Sequence, residues 1–85
     1  MDLTKQFEKA TEDVKGLEAK PSVENLLNLY SFYKQATLGD VQGKRPGMLK
    51  LSARSKYDAW GKIKGMSTDE AQKNYISLVA KLLNS

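Results

Sequence analysis

Apolar side chains open the chain as Leu3, Phe7, Ala10, Val14 and Leu17, at intervals of three and four that form one stripe on a helix. Gly16 and then Pro21 punctuate its end. Ser22 is placed to cap a second helix, with Glu24 favourably set in the first turn. Down one side of that helix run Val23, Leu26, Leu27, Tyr30, Tyr33, Lys34 and Thr37, with Leu29 and Phe32 beside them. Gly39-Asp40 is a turn signal that ends it near Leu38. Residues 39–51, GDVQGKRPGMLKL, hold three glycines and a proline and read as an irregular loop, of a length that is usually functional inside a compact domain. Ser52 is expected to cap a third helix bearing Ala53, Tyr57, Trp60 and Ile63. Gly61 costs that helix about 1 kcal/mol relative to alanine, and Gly65 suits the left-handed residue that ends it. Ser67-Thr68-Asp69-Glu70 is a capping box, with Met66 set to staple against Ala71. Ala71, Tyr75, Leu78, Val79 and Leu82 then mark a fourth stripe. No strand-like alternation occurs, so the fold class is an all-α bundle.

The links constrain the topology. Short connections around Lys20-Pro21 and Gly65-Met66 make their flanking helices antiparallel. The thirteen residues of the long loop reach on the order of 40 Å, whereas a helix of ~16 residues is about 24 Å long. That length permits helices two and three to run parallel, giving up-down-down-up.

Composition narrows the chemistry. Eighty-five residues at 9.5 kDa make a single domain spanning 1–85, with no room for a second core. Cysteine and histidine are both absent. The chain therefore has no thiolate nucleophile, no imidazole base and none of the commonest metal ligands. No catalytic or metal-binding residue is expected. The opening MDLTKQFEKATEDV lacks the apolar run of a secretory signal, and no stretch approaches the length of a membrane span. A cytoplasmic location is the expectation. Charge is uneven: residues 1–30 carry 4 basic and 6 acidic side chains, residues 31–65 carry 8 and 2, and residues 66–85 carry 2 and 2. A concentrated cation in mid-chain attracts a polyanion, although a solvated basic surface accounts for the count equally well.

Two local constellations bear on the ligand. The GxxxGK at Gly39 to Lys44 fails as a phosphate loop, because its glycines are one residue too close and Arg45 follows the lysine. Tyr30, Tyr33 and Lys34 share one helical face, and Lys56, Tyr57 and Trp60 make a similar group on helix three. A lysine beside a tyrosine hydroxyl suits phosphate, and an aromatic face suits a purine ring. Together they describe a site for a phosphate-rich adenine nucleotide. The competing reading is an aromatic core stripe with its lysines reaching outward, and Trp60 by itself reads as a core anchor.

The stretches YSFYKQATLGD (30–40), RPGML (45–49), KYDAW (56–60), KGMS (64–67) and NYI (74–76) are similar, in order and spacing over essentially the whole chain, to the acyl-CoA-binding protein family. The resemblance implies a four-helix up-down-down-up bundle that binds long-chain acyl-CoA thioesters as an intracellular carrier and buffer. It implies that Tyr30, Lys34 and Lys56 contact the nucleotide 3′-phosphate and that Tyr33 stacks near the adenine. By the same match Tyr75 serves the pantetheine and acyl part of the site, Lys15 and Ala10 border the head group, and Leu27 lines the acyl groove. Surface solvation for Lys15, and core packing for Tyr75 and Leu27, are the competing roles. The sequence departs from the family pattern at Tyr57, where a tryptophan is usual, and at Ser52, a position frequently basic. Ser55 and Thr11 stand where small apolar residues are common.

Such an amphiphile fits the chain. Burying about fifteen methylenes at ~0.8 kcal/mol each offers on the order of 12 kcal/mol, and lost motional freedom offsets several to over ten of that. The charged head must then supply selectivity over free fatty acid. A nucleic-acid-binding module would instead show salt-sensitive oligonucleotide affinity. A peptide or membrane module would use an exposed amphipathic face. An enzyme is disfavoured, because Ser52, Ser55 and Ser67 read as helix residues or caps. The expected protein is a monomer that takes acyl-CoA, binds no nucleic acid, and has transient contact with membranes or acyl-CoA-using enzymes.

Overall fold

The computed structural model describes residues 2–84. Four helices form, α1 (Leu3–Asp13), α2 (Val23–Leu38), α3 (Leu51–Lys62) and α4 (Thr68–Leu83), and no strand occurs among the described residues. The caps explain most of the boundaries. Asp2, Ser22 and Ser67 each accept, through the side-chain oxygen, an amide hydrogen bond from the third residue onward: Lys5, Asn25 and Glu70. These satisfy donors that a helix start otherwise leaves open. Of the expected capping box only the serine half forms.

Two boundaries differ from expectation. The first apolar stripe continues to Leu17, but α1 ends at Asp13, and Val14–Gly16 tightens into a single 3₁₀ turn. Ser52 does not cap α3: Lys50 occupies that position without a side-chain hydrogen bond, and Ser52 lies inside the helix. The preceding loop is tied instead to the middle of α3. The Tyr57 hydroxyl donates to the Gly43 carbonyl at 2.9 Å, and Arg45 holds Asp58 through two parallel bonds of 2.8 and 2.7 Å.

Helix directions follow from which residues meet. Phe7 stacks on Tyr33, and Phe7 and Tyr75 meet edge to face, while Val14 and Leu17 lie along a common groove with Leu26 and Leu29. Residue numbers rise along α1 as they fall along α2, so the two are antiparallel. Along α3 they rise together with α2, since Lys56 sits over Tyr30 and Trp60 bonds Gln35. The bundle is thus up-down-down-up. Its core is built by α1, α2 and α4 from Phe7, Ala10, Leu29, Ala36, Ala71, Tyr75 and Val79. Met66, partly buried, packs against this core.

Helix α3 attaches to α2 through one buried residue, Trp60. Its indole Nε1 donates to Gln35 Oε1 at 3.1 Å and to the Gly39 carbonyl at 2.9 Å. Gln35 is itself buried, and its Nε2 donates to Asp40 Oδ1 and to the Met66 carbonyl, each at 2.9 Å. Asp40 also accepts the Gly65 amide at 2.8 Å. One glutamine therefore ties the end of α2, the end of α3 and the start of α4 into a satisfied polar knot.

Candidate functional site

The spacing of Tyr30 and Lys34 on α2 places them one above the other, and the parallel course of α3 brings Lys56 alongside. The Lys34 ammonium lies 5.6 Å from the Tyr30 ring centroid and 5.9 Å from that of Trp60. The Lys56 ammonium lies 5.6 Å from the same Tyr30 ring. Neither lysine forms an ion pair among the described residues. Two like charges therefore converge on one half-buried tyrosine, held by its π face and open to an anion.

Beside Tyr30, on the same stretch of α2, a groove of about 490 Å³ opens between α2 and the segment that follows α1. Val14, Leu17, Leu26 and Leu29 line it together with Tyr30, Tyr33 and Tyr75, and the exposed Lys15 and Lys20 contribute cations. Its size is in the range of small-molecule sites, which are typically about 300–1,000 Å³. Tyr33 and Tyr75 lie 6.2 Å apart. Tyr33 keeps one face available to a ligand, at 43% exposure. Tyr75 is buried against Phe7, and burial first, then the neighbouring Tyr33, raises its hydroxyl above the ordinary tyrosine range. It acts as a neutral donor or acceptor.

The sequence-derived residues divide clearly. Tyr30, Tyr33, Tyr75 and Lys15 line the groove, and Lys34 and Lys56 flank Tyr30. Lys15 currently makes an exposed contact with Glu12 at 3.4 Å, a pair of little energetic weight. Ala10 is buried and faces a separate recess toward Ile76 and Val79. Leu27 is half-buried outside the groove, where its carbonyl accepts the Ser31 hydroxyl at 2.7 Å. The groove residue on that turn is Leu26. Its spacing to Tyr30 and Tyr33 carried that signal, whereas nothing local marked Leu17, Lys20 or Pro21, which approach only after the chain reverses. Tyr57 spends its hydroxyl on Gly43 and steadies the loop.

Comparison with known proteins identifies the family and the fold. The family model described as acyl CoA binding protein matches residues 4–79. An acyl-CoA-binding protein of Brassica napus is 51% identical over 85 residues, covering 100% of this chain and 92% of its own. The acyl-CoA-binding protein of Saccharomyces cerevisiae is 44% identical over 77 residues, covering 91% of this chain and 88% of its own. Among solved structures, acyl-CoA-binding protein 2 of Oryza sativa superposes with a TM-score of 0.93 at 43% identity, covering 98% of this chain and 92% of that one. With the bundle and nearly its full length matched, the chain belongs to the acyl-CoA-binding protein family.

Proposed function

We infer that this chain binds long-chain fatty acyl-CoA thioesters and serves as a cytoplasmic carrier and buffer for them, without catalysing a reaction. The observation that carries this reading is the convergence of Lys34 and Lys56 on Tyr30 at the border of an apolar groove. Such a juxtaposition suits a ligand that is strongly anionic at one end and apolar at the other.

In this reading the two ammonium groups and the Tyr30 hydroxyl take the nucleotide 3′-phosphate, through charge-assisted hydrogen bonds. Tyr33 offers its exposed face to the adenine. Tyr75 presents its neutral hydroxyl to the pantetheine, and Lys15 turns from Glu12 toward the remaining phosphates. The acyl chain takes the apolar surface that Leu26, Leu29 and their neighbours leave open. Ala10 contributes indirectly, through the core it helps to build, and Leu27 is left outside the site. The protein acts as a monomer and offers nothing specific to nucleic acid.

Calorimetric titration with a long-chain acyl-CoA, with CoA and with the matching free fatty acid tests the reading. The thioester is expected to bind much more tightly than either fragment, because each fragment satisfies only one half of the site. Equal affinity for thioester and free acid overturns it.

A further inference from the structure

The loop between α2 and α3 holds apolar side chains out in water. Residues Gly47 to Lys50 form a tight turn, closed by the Lys50 amide donating to the Gly47 carbonyl at 3.0 Å. Its central positions, which usually carry small or polar residues, are Met48 and Leu49. Met48 is 74% exposed, Leu49 is fully exposed, and Leu51, the first residue of α3, is 68% exposed. A single exposed leucine is ordinary. Three large apolar side chains within four positions at the tip of one loop form a patch.

The surrounding charge has one sign. From Val41 to Tyr57 the chain carries Lys44, Arg45, Lys50, Arg54 and Lys56 and no acidic residue. Arg45 is engaged by Asp58, Arg54 acts on the same carboxylate only at longer range, and Lys44 and Lys50 have no ion-pair partner among the described residues. The base of the loop is fixed by the Tyr57–Gly43 and Arg45–Asp58 bonds, so the tip is presented on a defined support. A convex apolar tip inside a collar of cations complements an anionic lipid surface. Apolar groups enter the boundary between headgroups and acyl chains while the collar meets lipid phosphates. A folded protein partner would need a matching recess, and a nucleic acid offers the leucines nothing.

We propose that the Gly47–Leu51 tip docks this chain on anionic membrane surfaces, with Met48 and Leu49 inserted and Lys44, Lys50 and Arg54 on the headgroups. Lys56 follows Leu51 by about 7.5 Å of helix rise, so docking brings the Tyr30 site close to the lipid. That consequence, collection or delivery of acyl-CoA at the bilayer, rests on the proposed function, whereas docking itself does not.

The full chain, free of acyl-CoA, is floated with phosphatidylcholine vesicles with or without phosphatidylserine. Binding is expected only with phosphatidylserine and should fall with salt. Replacing Met48 and Leu49 by serine, or Lys50 and Arg54 by glutamate, should weaken it roughly tenfold or more. Because the chain has no cysteine, Leu49→Cys accepts a single polarity-sensitive fluorophore. Its emission should shift to the blue on phosphatidylserine vesicles, while a label at exposed Ser77 on α4 stays unchanged. Acyl-CoA affinity in free solution should be the same in the Met48→Ser, Leu49→Ser variant as in the parent chain. Undiminished vesicle binding in that variant, no binding to phosphatidylserine, or a label shift traced by sedimentation to self-association overturns the proposal. Vesicle binding by a chain that ignores acyl-CoA would support docking while refuting the carrier reading.

Discussion

Tyr30 carries two ammonium groups on its ring, each 5.6 Å from the centroid, and this is where a single side chain matters most. A hydrogen bond to a charged group contributes about 1.5–3 kcal/mol. Lys34→Ala and Lys56→Ala are therefore each expected to weaken acyl-CoA by about 10–150-fold, and to weaken a thioester lacking the 3′-phosphate much less. Calorimetry with the two ligands checks this, and equal losses for both would reassign the lysines to general surface charge. Tyr75 poses a different question, since its ring supports the core through Phe7 at 5.1 Å. Tyr75→Phe keeps that contact and removes only the hydroxyl. Its unfolding free energy should change by less than about 1 kcal/mol while acyl-CoA affinity falls several-fold. A variant with undiminished affinity would leave Tyr75 a core residue alone.

Among the helices, α2 does the most positioning, because its two faces have separate jobs. Leu26, Tyr30 and Tyr33 are partly or largely exposed and line the groove together with buried Leu29, whereas Ser31, Gln35 and Ala36 are buried outside it. Hydropathy reads the first group as core and passes over Gln35, whose burial becomes tolerable only when Trp60, Asp40 and Met66 arrive from elsewhere in the chain. Long-range partners of this kind leave no local trace. The same reason hid the ties of Tyr57 to Gly43 and of Arg45 to Asp58 across the loop, while the Ser22 and Ser67 caps were readable from adjacent residues. Gln35→Leu should cost about 1–3 kcal/mol in urea unfolding, mainly from the Met66 carbonyl left without its donor. Acid should probe the neighbouring ties. The Gly65 amide and then Gln35 hold the Asp40 carboxyl below its ordinary 3.8, and the Arg45 hydrogen bonds do the same for Asp58. Depressed carboxylates stabilise the fold above their unfolded pKa and lose that contribution as pH falls through their lower folded values. Stability should thus decline below about pH 4, and Asp40→Asn should flatten the decline. An unchanged acid limb in that variant, measured by thermal unfolding against pH, contradicts the assignment.

Taken whole, the molecule is a divided binder: cations from α2 and α3 converge at one border of a groove that α2, α4 and the segment following α1 line with apolar and aromatic side chains. The tail half of this division predicts a dependence that no single residue controls. Each methylene removed from water contributes about 0.8 kcal/mol, close to a fourfold gain in affinity. Calorimetric titration across CoA thioesters of increasing acyl length measures it directly. The account predicts affinity that climbs steeply with length and levels off once the groove is filled. Affinity indifferent to acyl length, or no binding at any length, would contradict it.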